Sequence, residues 1–334
     1  MDGAPLPVGL IGLGKHGARY LTHIRDDVPE LRVVAVSRRA EAEGRAVAAE
    51  LGARFHHDLR DLIADPAVRA VIAAAPPSEN AAIVEGCIRS GKPLLVEKPF
   101  AIGADEAFRL RDLVEQSGLP CLMAQTLRFS GVVQAVRELL PEVGEIGQIA
   151  LGQTFEPTRL DWLDDPRSSG GGNILHTGVH MFDLLRYLTG GEVWDVACVL
   201  EAVHTRRTED TFAAGMAIHV GGPAESRRAV LAAVYGSRAT QSRTGEVRIV
   251  GESGQIVADH VHRHVALVKD WRWSALPDAP AVPTVREVLR RFRPVAEGAM
   301  APPVTVRDGA AAVAIADACY RSAETGRRVA VRTA

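Results

Sequence analysis

Little in this chain forces a specialised fold. Of its 334 residues only four are cysteine (Cys87, Cys121, Cys198 and Cys319), far apart and with no CxxC pair. That spacing excludes a disulfide frame and a cysteine zinc site, and reads as buried apolar thiols in a reducing compartment. Neither sign of charge dominates: 39 Lys and Arg against 41 Asp and Glu leave a formal net charge of −2. No nucleic-acid or membrane surface is therefore expected. No apolar run approaches the roughly 20 residues of a membrane-spanning helix. The first strand pattern begins within a few residues of the N-terminus, which leaves no room for a signal peptide, and no internal repeat is visible. A soluble cytoplasmic protein is expected. The content of 47% hydrophobic and 24% charged residues is ordinary for a globular chain. The length exceeds what one core usually serves, so two domains are expected.

Short apolar runs alternate with amphipathic segments at first. Val8–Ile11, Arg32–Val36, Ala70–Ala74, Leu94–Val96 and Cys121–Ala124 read as buried strands, and His16–Ile24, Ala42–Leu51, Asn80–Ser90 and Ala104–Ser117 as helices. Strands alternating with helices predict βαβ units and a parallel sheet. After about Ala124 the rhythm changes. A helix, Val132–Leu140, precedes longer alternating stretches: Gly147–Phe155, Val193–Leu200, Thr211–His219, Arg228–Ala233, Gly245–Val250 and His260–Lys269. These predict one half-buried antiparallel sheet. Val306–Ala323 reads as a last helix, Val329–Val331 as a last strand, and the Pro-rich Pro277–Pro283 as a loop. The expected class is α/β: an N-terminal parallel-sheet domain over 1–124, then an α/β domain over 125–334 with a mostly antiparallel sheet. The last helix, about 306–325, is a candidate to pack back on the first domain.

Gly12-Leu13-Gly14-Lys15-His16-Gly17 fits GxGxxG between the first strand and the first helix, the context in which that motif binds a dinucleotide. The first glycine permits the turn, the second lets a pyrophosphate approach, and the third lets helix pack on strand. An NAD-binding chain usually carries an acidic residue at the end of the second strand. Here the place reads Val36-Ser37-Arg38-Arg39, with no carboxylate until Glu41. Ser37 and Arg38 suit a 2′-phosphate, each charge-assisted bond contributing about 1.5–3 kcal/mol. NADP(H) is therefore expected over NAD(H). The competing reading is that Arg38 and Arg39 are a solvated pair.

Glu97 and Lys98 end the strand Leu94–Val96, with Pro99 stopping it. Ligands of open α/β sheets bind at that edge, where a lysine can stabilise developing negative charge on a substrate oxygen. Gly170 to Asp183 reads GGGNILHTGVHMFD. Three glycines there suit a tight turn and a close approach to a ligand. Ile174–Leu188 reads as a helix that projects His176 and His180 from one face, and an imidazole can transfer a proton near neutral pH. Trp162 offers a stacking face, Arg167 a cation for cofactor or substrate, and Asp183 a partner for a substrate hydroxyl or for His180. Arg128 either lines the crevice or pairs structurally, and Tyr320 reads as core packing.

GLGKHG, APP, GKPLLVEKP, GEIGQI and GGG…H…HMFD, in this order and spacing, resemble the glucose-fructose oxidoreductase, inositol dehydrogenase and rhizopine-catabolism (Gfo/Idh/MocA) family. The closing PVTVRDGAAAVAIADACYRSAETGRRV resembles its C-terminal helix. The resemblance implies an NAD(P)-dependent oxidoreductase of sugars, nucleotide sugars or cyclitols, a Rossmann domain plus an open-sheet domain, and a homodimer or homotetramer through that sheet. It implies Lys98 as the lysine on the substrate oxygen and His180 as the proton-transferring histidine. Pro76 of APP and Glu97 fall on the cofactor side, and Gln125 on the substrate side. The chain departs from the family where His176 replaces a common aspartate, where Asn80 stands in place of a histidine, and at Gln125, in a region that often carries histidine. His176 is read either as a substrate or relay group or as a structural histidine bonded to the backbone.

Three rivals follow from the same residues. His176 and His180 have the spacing of a zinc-binding helix, but Thr177 stands where HExxH has glutamate, so no metal is expected. His260, His262 and His264 read as one polar strand face, and His56-His57 as a loop pair. The fold also suits a tightly held cofactor used for transient oxidation, in glycoside cleavage or epimerisation, and a non-catalytic dinucleotide-binding regulator.

Overall fold

The computed structural model describes residues 3–158, 160–221 and 228–333. They form two compact units: one up to Thr126 with Pro283–Ala310, the other Leu127–Val282 with the residues from Ala311 on.

In the first unit six strands, β1 (Leu6–Ile11), β2 (Leu31–Ser37), β3 (Arg54–His56), β4 (Ala70–Ala73), β5 (Leu94–Val96) and β6 (Cys121–Met123), pair in parallel in the order β3-β2-β1-β4-β5-β6. The helices α1 (Lys15–Asp26), α2 (Glu41–Leu51), α3 (Leu59–Ala64), α4 (Asn80–Ser90) and α5 (Ala104–Ser117) alternate with them. Val8, Leu10, Val71, Ile72, Leu94 and Leu95 are fully buried, as strands covered on both faces require. The strand order reverses between β1 and β4, a switch point beside which ligands of such sheets bind.

Three elements of this unit leave no readable period in the sequence. β3 has three residues of mixed exposure, too few for a period. His56 is accordingly the end of a strand and not part of a loop pair, and its Nε2 lies 2.9 Å from buried Asp65. α3 is a single short stretch capped by Asp58, whose carboxylate accepts the Arg60 N–H. The third, α9 (Thr284–Ala296), buries Val285, Val288, Leu289, Phe292 and Val295 and packs on α1 and β6. Its arginines and Pro294 hide a regular apolar stripe.

The second unit is built on nine strands: β7 (Ile146–Thr154), β8 (Glu192–Glu201), β9 (Thr211–Val220), β10 (Arg228–Ser237), β11 (Thr244–Gly251), β12 (Gln255–Asp259), β13 (His264–Lys269), β14 (Arg272–Ala275) and β15 (Val329–Ala330), in the order β14-β13-β12-β11-β7-β10-β9-β8-β15. Every pairing is antiparallel except β7 with β10. Ile149, Val196, Ile218, Val234, Ile249 and Ile256 face a core, and α6 (Gly131–Val143) packs on β12 and β13. The short α7 (Pro166–Ser169) and the helix α8 (Val179–Thr189) lie between β7 and β8, and α10 (Val306–Thr325) precedes β15. Among the described residues no helix is long and apolar enough to cross a membrane.

Two expectations are corrected. His260–Lys269 is not one strand, because Asp259 accepts the Val261 and His262 N–H groups and turns the chain. Only His264 of the three histidines lies in a strand. His260 is half-buried against Gln153, 2.9 Å away, and His262 lies 3.0 Å from the Arg243 carbonyl. Ile174–Leu188 is not a uniform α-helix either: Ile174–Gly178 forms a π-helical turn that leads into α8, a feature frequent at functional sites.

Because Phe292 is fully buried on α9, Phe292→Ala should lower the unfolding free energy by about 3–5 kcal/mol, measured by urea titration.

Candidate active site

In the first unit the glycine loop separates packing from binding. Gly12 has φ +86°, and a Cβ there would lie 2.5 Å from the Ala74 carbonyl oxygen; one at Gly17 would lie 1.8 Å from the Gly12 oxygen. The first and third glycines are thus demanded by the protein's own backbone. Gly14 differs: no heavy atom lies within 4 Å of a Cβ placed on it. α1 starts there with no side-chain cap and no acidic residue in its first turn. The first N–H groups of α1 thus lack a side-chain cap while the space beside Gly14 is open, an arrangement that fits the pyrophosphate of a dinucleotide. Lys15 and His16 stand exposed in the same turn. Crowding by protein atoms lowers the His16 pKa; Glu97 opposes this, while Lys98, Arg19 and Lys15 reinforce it.

At the end of β2, buried Ser37 accepts the Gly12 N–H through its carbonyl at 2.9 Å. Arg38 Nη1 donates to the Leu13 carbonyl at 3.2 Å, and the guanidinium pairs with Glu43. Arg38 therefore lies at the glycine loop, whereas Arg39 is exposed. Glu43 has no role in the pattern reading, because its partner becomes evident only when α2 folds back. Pro76 precedes a short 3-10 turn, Pro77–Glu79. Past β5, Glu97 accepts the buried Tyr20 hydroxyl at 2.9 Å and the Lys98 N–H at 3.1 Å. Burial, and then Glu97, raise the Tyr20 pKa. Buried Asn80 donates from Nδ2 to the Pro99 and Phe100 carbonyls at 3.0 and 3.1 Å, strapping the segment that carries half-buried Lys98. The Lys98–Pro99 peptide is cis. Gln125, just past β6, is buried.

In the second unit the three glycines serve a different purpose from the one their sequence suggests. Gly170 has φ +75°, but a Cβ at Gly171 would lie 2.2 Å from the Tyr320 hydroxyl, and one at Gly172 would lie 1.8 Å from the Glu209 carbonyl oxygen. The close approach at Gly171 and Gly172 is to the protein itself and not to a ligand. Glu209, missed by pattern reading, is buried. Its Oε2 accepts the Gly172 N–H at 3.0 Å, and its Oε1 accepts the Ile174 N–H at 2.8 Å and the Tyr320 hydroxyl at 2.9 Å. Its carbonyl accepts the Asn173 N–H at 2.9 Å. Burial pushes the Glu209 carboxyl pKa up, against the pull of the Ile174, Tyr320 and Gly172 bonds. Arg238 grips the same segment, donating to Asn173 Oδ1 at 3.1 Å and Thr177 Oγ1 at 3.0 Å.

Two further carboxylates shape the loop that brings Glu209 here. Asp210 accepts the N–H groups of Val203, His204 and Thr205, and Asp164 those of Arg206, Arg207 and Thr208. Burial alone would raise both pKa values, but these bonds hold them below the usual carboxylate value.

His176 is buried. Its Nε2 donates to the Ser169 carbonyl at 3.0 Å, and its ring meets half-buried Trp162 edge-on at 5.5 Å between centroids. His180, in the first turn of α8, is half-buried. Arg167 is exposed on α7. Asp183 is 1% exposed and gives both oxygens to Arg128, at 2.7 and 2.6 Å, and Arg128 also lies over the Tyr187 ring. Tyr320 is a hydrogen-bonding part of this segment and more than core packing.

A parallel-sheet unit with an anion-ready glycine loop, in one chain with an open-sheet unit carrying two histidines, defines a two-domain nucleotide-cofactor protein. Residues 6–125 match the family model described as "Oxidoreductase family, NAD-binding Rossmann fold", and residues 137–331 its companion "Oxidoreductase family, C-terminal alpha/beta domain". The chain belongs to this Gfo/Idh/MocA oxidoreductase family. It is 29% identical to inositol 2-dehydrogenase 1 of Saccharopolyspora erythraea over 98% of this chain and 96% of that one. The fold is also that of levoglucosan dehydrogenase, solved with NADH and levoglucosan (TM-score 0.84, 20% identity, 98% and 100% of the two chains). It is likewise that of the aldose-aldose oxidoreductase of Caulobacter crescentus, solved with glycerol (TM-score 0.85, 18% identity, 98% and 99%).

Arg128→Met leaves the Asp183 carboxylate buried without its cation and should cost about 3–5 kcal/mol; adding Asp183→Leu should recover most of this in thermal denaturation. Asp210, with its folded pKa below the unfolded one, contributes stability at neutral pH that is lost as pH falls through the folded value. The Tm deficit of Asp210→Asn should therefore shrink between about pH 6 and about pH 3.

Proposed function

We propose that the protein is an NADP(H)-dependent oxidoreductase that interconverts a secondary alcohol and a ketone on a sugar, nucleotide sugar or cyclitol. The observation that carries the reading is the uncapped, anion-ready start of α1 at Gly14, in a chain that resembles an inositol 2-dehydrogenase over 98% of its length. The bound nicotinamide supplies the hydride chemistry. Gly14, Lys15 and His16 hold the pyrophosphate in the loop that Gly12, Leu13 and Gly17 shape, with Pro76, Glu97 and Arg167 on the cofactor side. Arg38 at the Leu13 carbonyl, with Ser37 and Arg39 beside it in sequence, supports recognition of a 2′-phosphate.

Lys98 holds the substrate oxygen and stabilises its developing charge, and His180 exchanges the proton. His176, held by the Ser169 carbonyl and Trp162, orients the site. Gln125 and Trp162 shape the substrate pocket, and Asp183, clamped by Arg128, fixes the helix that bears His180. The first domain ends at about residue 124, and the α9 segment within Pro283–Ala310 returns to it. The exposed, mostly small-residue sheet face of Val199, Ala213, Gly215, Leu231 and Ala233 supports a homodimer or homotetramer. The four buried free thiols support a cytoplasmic location.

Lys98→Ala and His180→Ala should each lower kcat by about 10²–10⁴-fold on myo-inositol or whichever polyol of a panel is turned over, with cofactor Kd changed little. Near wild-type kcat in either variant removes that residue from the chemistry. The wild type should show kcat/KM for NADPH at least about tenfold above NADH, and Arg38→Ala should erase the difference. A preference for NADH overturns the cofactor assignment.

A further inference from the structure

We infer that Glu209 is a positioning residue: from another segment of the chain it caps the helix start that carries His176 and His180, and so sets the backbone from which both imidazoles act. The inference rests on the reading of that helix as part of the active site. An α-helix start leaves its first N–H groups without intrahelical partners. Here the Gly172 and Ile174 N–H groups go to the two Glu209 carboxylate oxygens, and the Asn173 N–H goes to the Glu209 carbonyl. Three successive backbone donors are thus held by one residue 35 or more positions away.

The cap is built and not incidental. Glycine at 171 and 172 leaves the space that the Tyr320 hydroxyl and the Glu209 carbonyl occupy, 2.2 and 1.8 Å from where the Cβ atoms would be. Tyr320 donates to the carboxylate and also accepts the Gly172 N–H at 3.2 Å. Glu209 is itself placed by a loop pinned through Asp164 and Asp210.

The consequence reaches the histidines through the backbone. Gly172 supplies the carbonyl that accepts the His176 N–H at 3.0 Å. The π-helical turn that follows sets the rotation of His180 at the start of α8. A carboxylate gathers donors that an amide cannot, because the NH2 of a glutamine would be turned towards N–H groups. An isosteric change therefore disturbs the cap without emptying the space.

The experiment compares hydrogen–deuterium exchange of peptides covering residues 170–180 in the full-length wild type, Glu209→Gln and Tyr320→Phe. Steady-state kinetics on the same polyol panel and cofactor Kd are measured alongside. The expected result is exchange at least tenfold faster in residues 170–180 of Glu209→Gln, a smaller increase in Tyr320→Phe, and little change in the Rossmann unit. With it kcat should fall at least tenfold, while cofactor Kd stays within twofold. Unchanged exchange in these peptides, or faster exchange with wild-type kcat, overturns the inference. If Glu209→Gln does not fold, Tyr320→Phe decides it: unchanged exchange and unchanged kcat in that variant also overturn it. Faster local exchange in a wild-type background that turns over no polyol with either cofactor sinks the oxidoreductase reading of the site and leaves the cap standing.

Discussion

Backbone N–H groups at the start of a helix must bond to something, and two helices of this chain meet that requirement in opposite ways. α1 begins at Gly14 without a side-chain cap and faces open space, so its donors are available to an anion. The histidine-bearing segment begins at Gly172 with its donors already taken by Glu209. The same physical need leaves donors open to an anion in one unit and holds them within the protein in the other. The glycine clusters of both motifs follow from this, since each lets backbone or side chain come closer than a Cβ would permit.

A second constraint, the cost of burying charge, organises what lies around these helices. Arg128 and Asp183 are buried together as a bidentate pair. Asp164, Asp210 and Glu209 each hold a row of backbone donors in a loop or at a helix start. Such groups are tolerated only when their hydrogen-bonding capacity is met, so they form connected networks. Arg238, Asn173 and Asp210 continue one such network, with Asn173 Nδ2 donating to the Asp210 carbonyl at 3.0 Å.

Much of the Rossmann unit was legible from pattern alone. Strands buried on both faces show as apolar runs, and GxGxxG shows as a spacing. The failures have separate causes. β3 and α3 are too short for a period, and α9 carries its apolar stripe under a dense set of arginines. His260–Lys269 alternates like a strand but is broken by Asp259, whose side-chain bonds outweigh the alternation. Ile174–Leu188 has helical spacing, and nothing in that spacing marks a π-helical turn.

The amino-acid order by itself determined the α/β class, the place of the glycine loop and the family, because these rest on local periodicity and contiguous motifs. Only the tertiary structure decided which side chains serve them. It paired Arg38 with Glu43 and Asp183 with Arg128, tied Asn80 to the Lys98 segment, bonded His176 to a backbone carbonyl, and brought Glu209 and Tyr320 onto the glycines. Those partners lie 5 to 148 positions apart in the chain, and hydrogen bonding across such distances leaves no spacing in the sequence to read.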